Sequence, residues 1–289
     1  MTTTHATINI DGLDIFYREA GDPTAPTVLL LHGFPTSSHQ FRHLIPALSD
    51  RYHVIAPDLP GFGFSAMPGR DVFTYSFDNL AGIIGKFTDA LQLNHYVVYL
   101  FDYGAPIGFR LALRNPERIA GVITQSGNAY LEGVSGAFNP IQAYWQDPST
   151  ANRNALRGFL APETTRSQYS AGATNPAGIA PEAYTLDQAL LDRPGNDEIQ
   201  LDLFLDYQSN VALYPAIQAW LRNANPPLLA AWGRNDPFFI QAGAEAFRRD
   251  VPDAEITFIE AGHFPLESNL QEMVALIRPF LARVFLHTV

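Results

Sequence analysis

Short apolar runs that recur with helix-like segments between them constrain this chain more than any other feature. PTVLLLHG and YHVIAPDL are continuously apolar, as strands are when a sheet is covered on both faces. HQFRHLIPAL lies between them with helical character, and SFDNLAGIIGKFTDALQL follows with helical spacing and a serine start. The strand HYVVYLF, the helix GAPIGFRLALRNP and the strand IAGVITQSG continue the rhythm. Right-handed crossovers turn such a βα repeat into a parallel sheet with helices on both faces. Ahead of it, ATINIDGLDIFYREAG alternates apolar and polar residues on either side of Asp11-Gly12, a dipeptide that adopts positive φ at little cost. That pattern predicts an antiparallel hairpin at the sheet edge.

After about residue 128 the rhythm breaks. A stretch to about residue 224 holds mostly helical pieces and the loop-like APETTRSQYSAGATNPAGIAPEAY. The strand PPLLAAWGRNDP, a helix through AGAEAFRRD, the strand AEITFIEAGH and the amphipathic helix NLQEMVALIRPFLARVF then resume the pattern. The expected organisation is a core of residues 1–128 and 225–289 interrupted by a helical cap of residues 129–224. A chain of 289 residues suits one core with a sizeable insertion.

Composition removes several function classes. A net charge of −11 with no basic stripe repels phosphate backbones and anionic lipid, so neither nucleic acid nor a membrane surface is an expected partner. With no cysteine, disulfides, thiolate metal sites and thiol nucleophiles are impossible. No run approaches the roughly 20 apolar residues that span a bilayer. The opening MTTTHATINIDG lacks the basic and apolar regions of a signal peptide, making cytoplasmic the default location.

Within VVYLFDYGAPIGFRLAL, Asp102 sits where a central strand ends, the edge at which open α/β sheets collect ligands. Gly104 permits a sharp turn into the next helix, whose free N–H groups and positive dipole end favour an anion. The geometry is that of a nucleophile elbow, yet no G-x-S-x-G run occurs anywhere, so the nucleophile would be a carboxylate. A plain helix-capping role is the competing explanation for Asp102. His39 and His43 have metal-like i, i+4 spacing, but Gln40 replaces the glutamate of H-E-x-x-H, and both read as surface residues. His32 reads as ordering its own loop, and the two glycines of PGFGFS as a turn.

LLLHGFPTSS, APDLPGFGFS, FDYGAPIG, WGRNDPF and EAGHFPLE, each at a strand end and in this order, give the chain a resemblance that covers nearly its whole length. It resembles an α/β-hydrolase of the aspartate-nucleophile branch, which holds epoxide hydrolases and haloalkane dehalogenases. The resemblance implies an eight-stranded, mostly parallel sheet with an inserted helical cap. It also implies Asp102 as nucleophile, His263 as the base for water and Asp236 as the acid that orients the histidine, with no metal and no organic cofactor. Phe34 and Tyr103 would supply the two backbone N–H groups of an oxyanion hole. Leu100 departs from the pattern, because a smaller residue often stands two positions before the nucleophile.

The partners implied are a small apolar organic substrate and water. In epoxide hydrolases two cap tyrosines hold the oxirane oxygen, and DYQSN resembles the second such segment, making Tyr207 the proton donor. The first segment corresponds to NPIQAYWQDP, where Ile141 takes the tyrosine position, leaving Gln142, Tyr144 or Tyr169 as substitutes. For a haloalkane dehalogenase, Tyr103 stands where tryptophan is expected and Phe34 where asparagine is common. Epoxide opening is therefore favoured over release of halide. A binding protein without catalysis is a third reading, and the three triad groups argue against it.

Overall fold

In the computed structural model, which describes residues 2–286, eight strands form one sheet. They are β1 (Thr4–Ile10), β2 (Leu13–Ala20), β3 (Thr27–Leu31), β4 (His53–Pro57), β5 (Tyr96–Phe101), β6 (Ile119–Gln125), β7 (Leu228–Gly233) and β8 (Glu255–Ile259). Their spatial order is β1-β2-β4-β3-β5-β6-β7-β8. Only β1 with β2 and β2 with β4 pair antiparallel, and every other neighbouring pair is parallel. The hairpin turns at Asp11 and Gly12, with φ of 51° and 85°, and β1 lies at the edge.

Every residue of β3, β4, β5 and β7 is buried, which is why these strands are apolar throughout. Along β5 the two-residue period distributes side chains to two cores: Tyr96, Val98 and Leu100 join one, Val97, Tyr99 and Phe101 the other. The helix Phe77–Ala90 starts at Ser76, whose hydroxyl accepts a bond from the Asn79 N–H at 3.2 Å. No helix among the described residues is long and apolar enough to cross a membrane.

Two local expectations are corrected. HQFRHLIPAL is not one helix but a 3-10 turn at Ser38–Phe41, capped by the Ser37 hydroxyl, followed by the helix Leu44–Leu48. His39 and His43 therefore do not share a helical face. His43 is exposed but His39 is half-buried, and burial, with Arg42 and Arg18 nearby, pushes its imidazole down to about 4. The segment expected as a surface loop contains the helix Pro162–Ser170 and the start of the helix Pro181–Leu191. Each opens on a proline, which reads as a breaker in sequence yet is favoured at a first helical position, where no N–H is needed.

Between β6 and β7 the chain is helical, ending in the 29-residue helix Asn196–Ala224. The buried Arg110 of the helix Gly104–Arg114 reaches that long helix, donating to Asn210 Oδ1 at 2.7 Å and Ser209 Oγ at 3.0 Å. The inserted segment is thereby anchored to the helix that follows Asp102.

Candidate active site

Asp102 leaves the end of β5 in the left-handed region, with φ of 47°. Aspartate tolerates this conformation better than most residues, and the turn directs its carboxylate above the sheet. Three glycines make room. A Cβ on Gly33 would stand 2.3 Å from Asp102 Cβ, and one on Gly104 would stand 2.2 Å from the Leu31 carbonyl oxygen. Gly108 answers the crowding expected from Leu100: its absent Cβ would lie 2.2 Å from Leu100 Cδ2. The large residue before the turn is accommodated by a missing side chain one helical turn beyond it.

The two oxygens of Asp102 have different environments. Oδ1 accepts the backbone N–H of Phe34 at 2.7 Å and of Tyr103 at 2.6 Å. Oδ2 faces His263 Nε2 at 3.8 Å, too far for a hydrogen bond. Burial pushes the Asp102 carboxyl up to about 6, against the opposing pull of His263 and the two N–H groups.

His263 follows β8 and is buried. Its Nδ1 lies 2.8 Å from Asp236 Oδ2, and the carboxylate partner assigns the proton to Nδ1. Burial alone would lower the His263 pKa, but Asp236, its hydrogen bond and Asp102 outweigh it and hold the imidazole above its ordinary value. Asp236, in the turn after β7, also accepts Ser126 Oγ at 2.6 Å, Phe238 N at 2.8 Å and Phe239 N at 3.1 Å. Ser126 was not among the expected residues. It follows β6 in the stretch TQSGNAY. His32 is buried and bridges two loops, its Nδ1 on the Gly33 carbonyl and its Nε2 accepting the Leu59 N–H, each at 3.0 Å.

Asp102 and His263 open onto a cavity of about 40 Å³. Most of its wall is aromatic: Phe34, Tyr103, Phe138, Phe159, Phe204, Tyr207, Phe238 and Phe239, with Ile141 and Gln168 also contributing. Tyr207 therefore reaches the cavity, and Gln142, Tyr144 and Tyr169 do not. Adjacent helical residues point about 100° apart, so the helix Asn139–Gln146 turns Ile141 inward and Gln142 away. Tyr144 accepts Arg153 Nη1 at 2.9 Å, and Tyr169 is bonded to Asp187 while its ring stacks on Phe264 at 3.9 Å. Tyr207 is packed against Trp145, the rings stacked at 6.0 Å and 3°. The Tyr103 hydroxyl is buried with no hydrogen-bond partner among the described residues. Among those residues no group of three or more His, Asp or Glu side chains could hold a metal ion.

The arrangement supplies a buried carboxylate with one free oxygen, an oriented imidazole facing it across a gap, two convergent N–H donors and the Tyr207 phenol in the wall of the same cavity. Comparison with known proteins agrees in fold. The sequence profile of the family described as alpha/beta hydrolase fold matches residues 26–270. The chain is 47% identical over 264 residues to Uncharacterized hydrolase YNR064C of Saccharomyces cerevisiae, covering 90% of each. Over 109 residues it is 41% identical to Haloalkane dehalogenase 2 of Mycobacterium bovis, covering 38% of this chain and 37% of that one. The solved structure of epoxide hydrolase CorEH without ligand has the same fold, with a TM-score of 0.79 at 19% identity over 98% of this chain and 100% of the other.

Proposed function

The chain belongs to the alpha/beta hydrolase fold family, and from that premise we propose that it opens small apolar epoxides to vicinal diols through an ester on Asp102. The observation that carries the reading is the unequal treatment of the Asp102 oxygens. Oδ1 already sits between two N–H donors, while Oδ2 is free to attack. In the first step Oδ2 bonds to a ring carbon, the carbon–oxygen bond of the epoxide breaks, and the departing alkoxide takes the Tyr207 proton. Oδ1 becomes the ester carbonyl oxygen without moving.

In the second step His263 Nε2 removes a proton from water as that water attacks Cγ, and the negative charge forms on Oδ1, where the N–H groups of Phe34 and Tyr103 stabilise it. Collapse breaks the bond between Cγ and Oδ2. The leaving oxygen takes the proton from His263, and the second proton of the water restores Tyr207. Asp236 holds the imidazole in the required tautomer and supports its positive charge. In this reading residues 129–224 act as the cap that keeps bulk water out. A cavity of about 40 Å³ has room for about three waters, which favours a substrate of few carbons.

A second reading, displacement of halide from a small organohalide, is favoured by the unpartnered Tyr103 hydroxyl beside Asp102 and by the partial similarity to a haloalkane dehalogenase. The test is His263→Gln incubated separately with a short epoxide and a bromoalkane. Ester formation survives the substitution while hydrolysis slows, so the peptide carrying Asp102 gains the substrate's mass. An adduct with the epoxide supports epoxide opening, and one with the bromoalkane alone transfers the reading to halide release. Consumption of one equivalent of substrate with no adduct on Asp102 overturns the covalent route.

A further inference from the structure

We propose that Tyr214 and Asn128 form a hydrogen-bond relay behind Tyr207, positioning its hydroxyl and stabilising it once its proton has passed to the opening ring. The proposal rests on the epoxide reading. Tyr207 and Tyr214 lie seven residues apart on the helix Asn196–Ala224, two turns along one face, and both are 3% exposed. On that face the two phenols approach closely enough for each to shift the other's ionisation. Behind Tyr214, Asn128 Nδ2 donates to its Oη at 3.2 Å.

The orientation of that amide is set by its surroundings. Asn128 Nδ2 also donates to the Tyr130 carbonyl at 2.7 Å, while its Oδ1 accepts the Tyr130 N–H at 3.3 Å. Asn128 stands two residues beyond Ser126, so one loop after β6 bonds to Asp236 at one end and to the tyrosine pair at the other.

The reaction explains why a lone tyrosine would serve poorly. Burial raises the Tyr207 phenol well above its ordinary value, with Tyr214 and then the Asp102 charge adding to the shift. A phenolate left in that apolar pocket would have no solvent to stabilise it. When the ring oxygen arrives, the two hydroxyls turn together. Tyr207 donates to the ring oxygen and Tyr214 donates to Tyr207, while Asn128 continues to donate to Tyr214. After transfer, the Tyr207 phenolate accepts a bond from Tyr214 until water restores its proton. Tyr214 and Asn128 are thus positioning residues that act only through Tyr207.

A double-mutant cycle tests this on alkylation in single turnovers, using short epoxides whose alkoxides differ in basicity. Tyr214→Phe removes a hydroxyl and no packing volume. It should slow alkylation about 10-fold, the scale of one lost hydrogen bond to a charged group, and steepen the dependence of rate on alkoxide basicity. Ester hydrolysis and epoxide affinity should stay within about twofold of wild type on the same ground. With Tyr207→Phe already present, adding Tyr214→Phe should change alkylation little, because the relay then has nothing to act on. Placing the more acidic 3,5-difluorotyrosine at position 214 should speed alkylation, a gain that damaged folding cannot mimic.

Additive losses, equal slowing of every epoxide and of ester hydrolysis, or wild-type alkylation by Tyr214→Phe would overturn the relay while leaving the role of Tyr207 intact. A wild-type protein that alkylates no epoxide would overturn the epoxide reading and the relay with it.

Discussion

Replacing Asp102 with asparagine should make the protein more stable at pH 8 while abolishing turnover. Asparagine also tolerates the left-handed backbone at this position, and its side-chain oxygen can keep the N–H groups of Phe34 and Tyr103 satisfied. What is lost is a buried negative charge. Folding raises the carboxyl from 3.8 to about 6, mainly by burial. At about 1.4 kcal/mol per unit, its ionised form costs the folded state on the order of 3 kcal/mol. The folded protein binds this proton more tightly than the unfolded chain does. The cost is therefore nearly absent near pH 4, grows between about 4 and 6, and is complete above about 6.

Thermal unfolding of wild type and Asp102→Asn should differ by about 5 °C or more at pH 8. The difference should shrink to about half at pH 5 and nearly vanish at pH 4. An unchanged or lower midpoint at pH 8 would refute the argument that Asp102 is held in place against its own solvation, and so would a gain that did not decline with pH. The expected gain, present at pH 8 and lost towards pH 4, would be a stability–activity trade-off in which the proposed nucleophile is the destabilising group.

Three further outcomes follow from the same geometry. In the proposed reaction alkylation requires ionised Asp102, so its single-turnover rate should rise with pH through about 6 and fall about tenfold below its plateau at pH 5. The proposed ester hydrolysis requires neutral His263, whose raised pKa should place the acid limb of that step above the range of a free imidazole. Rapid-quench measurements of each step would reject the assignment if both were flat from pH 5 to 8. Gly33→Ala should abolish alkylation and destabilise the fold by about 2 kcal/mol or more, because its Cβ would stand 2.3 Å from Asp102 Cβ, which has no room to yield. A variant with normal midpoint and normal adduct formation would contradict this.

Local chemistry made much of the scaffold legible in the sequence. Asp11-Gly12 can turn in few ways, β3, β4, β5 and β7 are apolar because both sheet faces are covered, and Ser76 caps a helix through its own hydroxyl. Asp102 stands out by its place at a strand end, the resemblance of the strand-end motifs adds Asp236 and His263, and the structure brings the three side chains together. Signals of this kind depend on neighbours a few residues away, and the chain carries them wherever it goes.

The inserted helices carry no comparable signal. Tyr144, Tyr169, Tyr207 and Tyr214 are all buried tyrosines on helices, and nothing local separates them. Arg153 engages the first, Asp187 the second, and the third reaches the cavity on the long helix, which Arg110 holds through Asn210. Ser126 met Asp236 across 110 residues of chain and Asn128 met Tyr214 across 86. The sequence by itself determined the sheet, its turns and the carboxylate at the crest, because backbone preference and periodic burial are local properties. Tertiary structure decided which phenol faces that carboxylate and what stands behind it, because a side chain's partner is fixed by long-range packing.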